Sequence, residues 1–281
     1  MQLLAHGGAG GAPGAPERRQ SVLDTAAAAG TDADNPLAAV VETVRQLEAN
    51  PRFNAGTGSA VQSDGVIRTD AGLMLDDGTS GAACSMPGVE HAVDVARYVA
   101  TETPHIVLSG AQAVDFAAAY NVETDCDLWS ERTRERWNDE PGPDGDVRTH
   151  LEWVHEQFGG ADTVGAVATD GQQLAAATST GGRWAALAGR VGDVPQVGAG
   201  FYATERAAAS ATGAGEAIAR YGLARRAVDA VADGDDPQTA ADRVIRNFAA
   251  ETGAEAGVIV IDDGGRGGSA YNSALMQTAQ R

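Results

Sequence analysis

The strongest constraint on this chain is an abrupt change of character near residue 160. Residues 124–160 are poor in hydrophobic side chains, and their centre, residues 138–146, is dominated by turn-forming and acidic residues. Low hydrophobicity combined with turn chemistry predicts a loop or linker. Long segments of this kind in a compact protein tend to be functional or mobile. We therefore predict a mobile linker over about residues 124–162.

The residues after the linker are apolar and β-like. Residues 164–169 and 174–178 predict two strands, and Asp170-Gly171 between them is a strong hairpin signal. A last strand is predicted at residues 257–261. Residues 217–231 predict one helix, and residues 237–250 predict another that follows a cap at Asp236.

The N-terminal half predicts a strand at residues 3–5 that ends in a glycine-rich turn at residues 6–10. Helices are predicted at residues 36–48, with Asn35 as cap and Pro36 in the first position, and at residues 89–99. Strands joined by hairpins, with helices grouped between them, favour an α+β layered fold over βαβ repeats.

The charge of the chain excludes some functions. The net charge is −19, and all 20 basic residues are arginine. Nucleic-acid binding requires a basic face, so we do not expect it. Acidic residues spread over the surface suit a solvation role that high salt makes tolerable, which leads to the hypothesis of a halophilic protein. No apolar run is long enough to span a bilayer, and no secretory signal is visible, so a cytoplasmic location is expected.

The glycine-rich segment at residues 6–10 does not have the pattern of a dinucleotide site. Such a site needs GxGxxG opening a helix, and residues 12–16, Ala-Pro-Gly-Ala-Pro, are not expected to open one. His6 in isolation is more often structural than catalytic. The remaining histidines and the two cysteines show no spacing typical of metal ligands.

Thr163 lies where the predicted linker meets a strand. A strand that begins with a β-branched residue is ordinary, so Thr163 alone indicates nothing. The interpretation changes with three later segments: Ala-Ala-Thr-Ser-Thr-Gly-Gly at residues 176–182, Gly-Arg-Val-Gly-Asp at residues 189–193, and Ala-Thr-Gly-Ala-Gly-Glu at residues 211–216.

Together these segments resemble the plant-type L-asparaginase/isoaspartyl peptidase family of N-terminal nucleophile hydrolases. The resemblance also includes residues 6–10, residues 47–56 and Tyr271-Asn272-Ser273, and it covers nearly the whole chain. It implies a single domain with a four-layer αββα sandwich. It also implies self-cleavage into an α subunit of residues 1–162 and a β subunit of residues 163–281, assembled as a dimer of αβ units.

The resemblance makes Thr163 the nucleophile once the bond between Asp162 and Thr163 is cut. Before cleavage the nitrogen of Thr163 is an amide and cannot act as a base. After cleavage it is an α-amine with a pKa of about 8, close to the working pH of a general base. Nucleophile and base then belong to the same residue. The substrates implied are L-asparagine and β-aspartyl peptides, and no cofactor is expected for catalysis.

Other site residues follow from the resemblance, each with a physical reason. The hydroxyl of Thr212 and the backbone N–H of Gly213 suit an oxyanion hole. The planar fork of Arg190 suits the α-carboxylate of the substrate, and Asp193 suits its α-ammonium group. Taken without the other motifs, Arg190 and Asp193 would instead be read as a mutual surface salt bridge. The resemblance further implies that Thr180 orients the nucleophile and that Gly215 offers backbone contacts.

Residues 47–57 resemble the loop of this family that holds a structural sodium ion through backbone carbonyls. The ligands implied are the carbonyls of Leu47, Glu48, Asn50, Phe53, Ala55 and Thr57. The same loop would place Asn54 close to the nucleophile and the substrate.

Asp162 departs from the pattern, because most plant-type asparaginases have glycine before the nucleophile. An Asp-Thr junction occurs in glycosylasparaginases and threonine aspartases, which keeps both subgroups open as alternatives. The start at residues 6–10 favours the plant-type group over the first, and the compact chain favours it over the second. An uncleaved, non-catalytic homologue is the alternative from another class, although every proposed catalytic position is filled.

Overall fold

The computed structural model describes residues 1–11, 14–157 and 159–281, with the backbone alone described for residues 159–161. The helices are α1 Pro16–Thr31, α2 Pro36–Glu48, α3 Ala92–Glu102, α4 Gly110–Ala119, α5 Glu131–Asp139, α6 Val147–Gln157, α7 Gly215–Tyr221, α8 Leu223–Ala232 and α9 Pro237–Thr252. The strands are β1 Gln2–Gly10, β2 Arg68–Leu75, β3 Ser80–Pro87, β4 Val107–Ser109, β5 Gly159–Ala161, β6 Val164–Thr169, β7 Leu174–Thr180, β8 Arg183–Trp184, β9 Phe201–Ala203, β10 Ala207–Gly213, β11 Ala256–Asp262, β12 Gly267–Tyr271 and β13 Leu275–Gln280. None of the helices within these described ranges is long and apolar enough to cross a membrane.

Two sheets organise the fold. The larger has seven strands in the order β13-β1-β6-β7-β2-β3-β4, antiparallel except for the parallel pair β3 and β4. The smaller has four antiparallel strands in the order β12-β11-β10-β9. Strands β1 and β6 are both interior strands of the larger sheet, and they pair with each other.

Hydrophobic residues fill three successive layers between these elements. Helices α1, α2 and α3 pack on one face of the larger sheet around residues such as Leu23 and Val44. Leu4, Phe201 and Ile259 meet between the two sheets. Helices α8 and α9 cover the outer face of the smaller sheet. The predicted mixture of helices and sheets with hairpin-paired strands is confirmed.

Local signals fix several elements as predicted. Helix α2 spans residues 36–48, and the Asn35 side chain accepts a hydrogen bond of 2.9 Å from the Ala38 backbone N–H. Helix α9 begins after Asp236, whose side chain accepts a bond from the Thr239 N–H. The single helix predicted at residues 217–231 is two helices, because Gly222 adopts φ 71° between them.

Three predictions about irregular structure were wrong. Residues 12–16 were not expected to open a helix, yet Pro16 is the first residue of α1, where its fixed φ suits the first helical position. The glycine-rich residues 6–10 are not a turn, since β1 continues to Gly10 and pairs there with β13, with a register shift between His6 and Ala9. The segment predicted as a linker contains α5 and α6. A capping box formed by Ser130 and Thr133 starts α5. Residues 140–146 do form a loop. The predicted mobility stays a prediction, and residues 12, 13 and 158 lie outside the described residues.

The tight contact between the two sheets predicts the effect of one added methyl group. A Cβ at Gly72 of β2 would lie 2.1 Å from the ring of Phe201, which is fully buried. We expect Gly72→Ala to lower the free energy of unfolding by about 1–3 kcal/mol through overpacking, measured by urea denaturation. Gly14→Ala is the matched control, because a Cβ there meets no atom within 4 Å. Equal stability of the Gly72→Ala and Gly14→Ala variants would contradict this packing.

Candidate active site

Thr163 lies at the start of β6 and is almost completely buried, with 5% of its surface exposed. The register that pairs Val164 with Ser179 sets Thr163 beside Thr180, the last residue of β7. The hydroxyl of Thr163 donates to Thr180 Oγ1 over 3.3 Å, and Thr180 Oγ1 donates to the carbonyl oxygen of Asp162 over 3.1 Å. A chain of two hydroxyls therefore leads from Thr163 to the carbonyl of the peptide bond that precedes it.

Asn54 holds the same carbonyl from another direction. Its Nδ2 donates to the oxygen of Asp162 over 2.6 Å and to the oxygen of Gly182 over 2.7 Å. Its Oδ1 accepts from the N–H of Ala60, and its own carbonyl accepts from the N–H of Gly181. Both the nitrogen and the oxygen of the Asn54 side-chain amide are hydrogen-bonded, which fixes the orientation of the amide toward the Asp162–Thr163 bond.

The side chain of Asp162 lies in a cleft with basic neighbours. Its Oδ2 is 3.5 Å from Arg19 Nη2, while its Oδ1 is buried without a partner among the described residues. Burial raises the pKa of Asp162, and the positive charges of Arg19 and Arg132 oppose that effect. Gly8 makes room for this carboxylate, because it has φ 111° and a Cβ there would lie 2.8 Å from Asp162 Oδ1.

The glycine-rich part of β1 lets other parts of the site approach closely. A Cβ at Gly7 would lie 2.7 Å from the Phe53 ring, and the Gly7 carbonyl accepts a hydrogen bond from Arg19. The backbone N–H of Ala9 donates to Thr212 Oγ1 over 3.1 Å. These glycines thus allow the backbone of β1 to pack closely against neighbouring residues.

Thr212 and Gly213 end β10, the strand of the smaller sheet that packs on β6 and β7. Thr212 is fully buried. Gly213 adopts φ 131°, and a Cβ there would lie 2.5 Å from the Glu255 carbonyl, so only glycine fits without strain. Within the described part of the chain, the hydroxyl of Thr212 accepts from Ala9 and makes no hydrogen bond to Thr163.

Arg190 and Asp193 do not form the mutual surface salt bridge that was the alternative interpretation. Asp193 is buried, and Arg190 Nε instead donates to Glu216 Oε1 over 2.8 Å. Arg190 Nη2 and Asp193 Oδ2 are both buried and without a hydrogen-bond partner among the described residues. Buried polar atoms without hydrogen bonds are costly, so these two atoms are suited to a ligand that carries one carboxylate and one ammonium group.

Gly215 keeps the space between these two charged groups open. A Cβ at this position would lie 2.7 Å from Asp193 Oδ1 and 2.8 Å from Arg190 Nη2. Burial raises the pKa of Asp193 to about 6, and the positive charge of Arg190 opposes the rise. Any side chain at Gly215 would therefore fill the position that a small zwitterion would occupy.

Asp70 and Glu216 are site residues that were not predicted. Asp70 lies on β2 opposite Thr180, and its Oδ1 accepts from the Ser85 N–H over 2.7 Å. Burial raises the pKa of Asp70 to about 7, with Arg190 opposing the rise. An aspartate directly before the apolar run of residues 71–75 is the sequence signal for Asp70. Glu216 has no such signal, because it resembles any acidic residue in the first turn of a helix.

His6 has a structural role, as its isolation in the sequence suggested. Its Nε2 lies 2.9 Å from Ser210 Oγ, which in turn lies 2.7 Å from Thr178 Oγ1. Burial lowers the pKa of His6 to about 3, with a backbone hydrogen bond at Thr163 opposing the shift. The imidazole is therefore neutral at physiological pH and links the two sheets next to Thr163.

Residues 47–57 form a closed loop next to the site. The Thr57 N–H donates to the Glu48 carbonyl, and the Glu48 carboxylate accepts from Ser179 Oγ over 2.6 Å and from the Val93 N–H over 3.0 Å. The Leu47 and Asn50 carbonyls also accept backbone hydrogen bonds. The part of the chain that the structure describes contains no group of three or more His, Cys, Asp or Glu side chains able to hold a metal ion.

Comparison with known proteins gives consistent relatives. The family model described as asparaginase matches residues 1–281. The plant-type L-asparaginase of Pyrococcus furiosus is 40% identical over 86% of this chain and 82% of its own length. That of Pyrococcus abyssi is 38% identical over 99% and 95%. The isoaspartyl peptidase/L-asparaginase of Danio rerio is 35% identical over 99% and 91%.

The buried carboxylate of Asp193, one oxygen of which has no hydrogen-bond partner among the described residues, predicts a pH dependence of ligand binding. Because the pKa of Asp193 is about 6, its carboxylate becomes neutral as the pH falls below that value. We expect L-aspartate to bind about tenfold more weakly at pH 5 than at pH 7 in isothermal titration calorimetry, in proportion to the ionised fraction. Asp193→Asn should bind weakly at both pH values. Unchanged binding between pH 7 and pH 5 in the unsubstituted protein would exclude this role for Asp193.

Proposed function

The chain belongs to the asparaginase family and is a hydrolase of asparagine or isoaspartyl amides, and we propose that it gains this activity by cutting its own chain between Asp162 and Thr163. One observation carries the proposal. The hydroxyl of Thr163 is linked through Thr180 to the carbonyl of Asp162, which Asn54 also contacts. A nucleophile, the bond it attacks and donors to that bond's carbonyl oxygen are thus together.

Self-cleavage begins with attack of Thr163 Oγ1 on the carbonyl carbon of Asp162. The C–N bond breaks, the hydroxyl proton passes to the departing amine, and an ester joins Asp162 to Thr163 Oγ1. Water then hydrolyses the ester, which leaves a carboxylate on Asp162 and a free α-amine on Thr163. Asn54 Nδ2 and Thr180 Oγ1 stabilise the negative charge that develops on the carbonyl oxygen, and losing one such donor typically costs about 2.7–4 kcal/mol.

Substrate hydrolysis uses the same hydroxyl with a new base. The free α-amine of Thr163, with a pKa of about 8, accepts the proton of its own hydroxyl as Oγ1 attacks the side-chain amide. The hydroxyl of Thr212 and the N–H of Gly213 stabilise the oxyanion, and ammonia or a peptide amine leaves with the proton. Water hydrolyses the resulting aspartyl ester, which releases L-aspartate and restores Thr163.

The α-amino acid head of the substrate binds between Arg190 and Asp193. Arg190 Nη2 pairs with the α-carboxylate, and Asp193 Oδ2 accepts from the α-ammonium group, so two buried atoms that lack hydrogen bonds are satisfied together. Glu216 holds Arg190 through the 2.8 Å bond to Nε, which leaves the outer nitrogens for the ligand. Both L-asparagine and β-aspartyl peptides have this head group.

Further features of the family are part of the same proposal. The packing of α1–α3 on the larger sheet and of α8 and α9 on the smaller one supports a four-layer αββα sandwich, with Thr163 directly before a strand of the larger sheet. A structural sodium ion would bind to backbone carbonyls of residues 47–57, each of which keeps a lone pair when it accepts one hydrogen bond. The cleaved chains, residues 1–162 and 163–281, would assemble as a dimer of αβ units.

Thr163→Ala tests self-cleavage and hydrolysis together. We expect the substitution to abolish both, because it removes the hydroxyl that attacks Asp162 and the substrate. The unsubstituted protein should give two bands on a denaturing gel, with Thr163 at the new N-terminus by mass spectrometry. Thr163→Ser keeps a hydroxyl and should be cleaved, which makes it the matched control. A Thr163→Ala variant that still hydrolyses L-asparagine would refute the assignment.

A further inference from the structure

A cavity of about 160 Å³ lies directly beside the Asp162–Thr163 bond. Its lining residues include Asn54, Asp162, Arg132, Arg136 and Trp184. Neither Arg190 nor Asp193 lines this cavity. The cavity therefore adjoins the scissile carbonyl from a side that is distinct from the site for the α-amino acid head group.

Two arginines in this cavity lack anionic partners. No Asp or Glu side chain of the described residues lies within 4 Å of the guanidinium groups of Arg132 or Arg136. Arg132 Nη2 donates to the Gly58 carbonyl, and Arg136 lies over the Trp184 ring at 4.1 Å. Acidic residues outnumber basic ones by 39 to 20 in this chain, so two neighbouring arginines with no ion pair within 4 Å are an unusual concentration of positive charge. The nearest carboxylates act on them only at longer range, Asp162 on Arg132 and Glu140 on Arg136.

Neighbouring groups hold these two arginines in position, and the two positive charges repel each other. An arginine stacked on an aromatic face keeps the N–H groups at its edge free for a carboxylate. Arg132 and Arg136 lie one turn apart on α5. Burial lowers the pKa of Arg136, Glu140 opposes that effect and the charge of Arg132 adds to it. An adjoining open cleft is lined by Arg19 and Arg52 and also by Glu131 and Asp162. An anion bound here would relieve this repulsion.

The chemistry of the leaving group indicates which anion belongs here. Hydrolysis of L-asparagine releases ammonia, which needs no anion site. Hydrolysis of a β-aspartyl dipeptide releases an amino acid, whose α-carboxylate is two bonds from the nitrogen of the scissile amide. We propose that Arg132 and Arg136 form a leaving-group subsite that binds this free α-carboxylate, and that the enzyme is thereby selective for β-aspartyl dipeptides with a free C-terminus. This inference rests on the proposed function and specifies its substrate class.

The test removes the charge from the ligand and from the protein in a double-mutant cycle. Values of kcat/KM are measured for β-aspartyl-leucine, for its C-terminal amide and for L-asparagine, each per mole of processed Thr163 N-terminus. We expect the unsubstituted enzyme to prefer the free acid over the amide by about 10- to 100-fold, as charge-assisted hydrogen bonds imply. In Arg132→Gln/Arg136→Gln this ratio should fall to about one to three, mainly through a rise in KM for the free acid.

Arg134→Gln is the matched control, because Arg134 lies on the same helix but pairs with Asp127. It should leave the ratio unchanged. If the double variant is not processed, the single variants Arg132→Gln and Arg136→Gln test the subsite by the same ratio. The subsite is also tested by the unsubstituted enzyme, which must prefer the acid over the amide.

The outcomes separate the two proposals. An enzyme that hydrolyses L-asparagine and β-aspartyl-leucine but does not distinguish the acid from the amide overturns the subsite alone. If kcat/KM of the double variant falls as much for L-asparagine as for β-aspartyl-leucine, the subsite is also overturned. A processed enzyme that hydrolyses none of the three substrates overturns the proposed function itself.

Discussion

The pairing of β6 with β7 is the interaction on which the rest of the site depends. It sets Thr163 beside Thr180 at one end of a buried hairpin, and the carbonyl of Asp162 then meets Thr180 and Asn54. A slip of one residue would turn every side chain of β6 to the opposite face and separate the two hydroxyls. Because β6 is buried on both faces and paired on both edges, such a slip would disrupt the core.

Close packing of backbone is the second requirement of this arrangement. Gly8 leaves room for Asp162, and Gly7 leaves room for Phe53, while the same strand donates from Ala9 to Thr212. One glycine-rich strand therefore contacts Asp162 before the proposed cleavage point, the loop that carries Asn54 and the proposed oxyanion hole. The site is assembled from segments far apart in sequence that β1 holds together.

Sequence reasoning succeeded where the signal is local and was incomplete where it depends on tertiary contacts. The caps at Asn35 and Asp236 and the strand at residues 164–169 follow from neighbouring residues. Helix α5 was missed because its polar composition resembles that of a linker. In the folded chain its Trp137 packs against three other tryptophans, Trp129, Trp153 and Trp184. Asp70 was missed because it meets Arg190 and Asp193 only in the folded chain. The proposed roles of the site residues come from the resemblance and stay predictions.

The distribution of charge differs between the surface and the site, because the surface is strongly acidic and arginines lie near Thr163. A net charge of −19 repels anions from most of the surface, yet three arginines lie near Thr163. Arg190 keeps one buried nitrogen without a hydrogen-bond partner among the described residues, and Arg132 and Arg136 line the cavity beside Asp162. A substrate with carboxylates at both ends would be repelled over most approaches and stabilised at this one. Short-range contacts in a partly enclosed site are less screened by salt than the surface repulsion is. Such a site would therefore keep its selectivity under the high salt that an acidic surface tolerates.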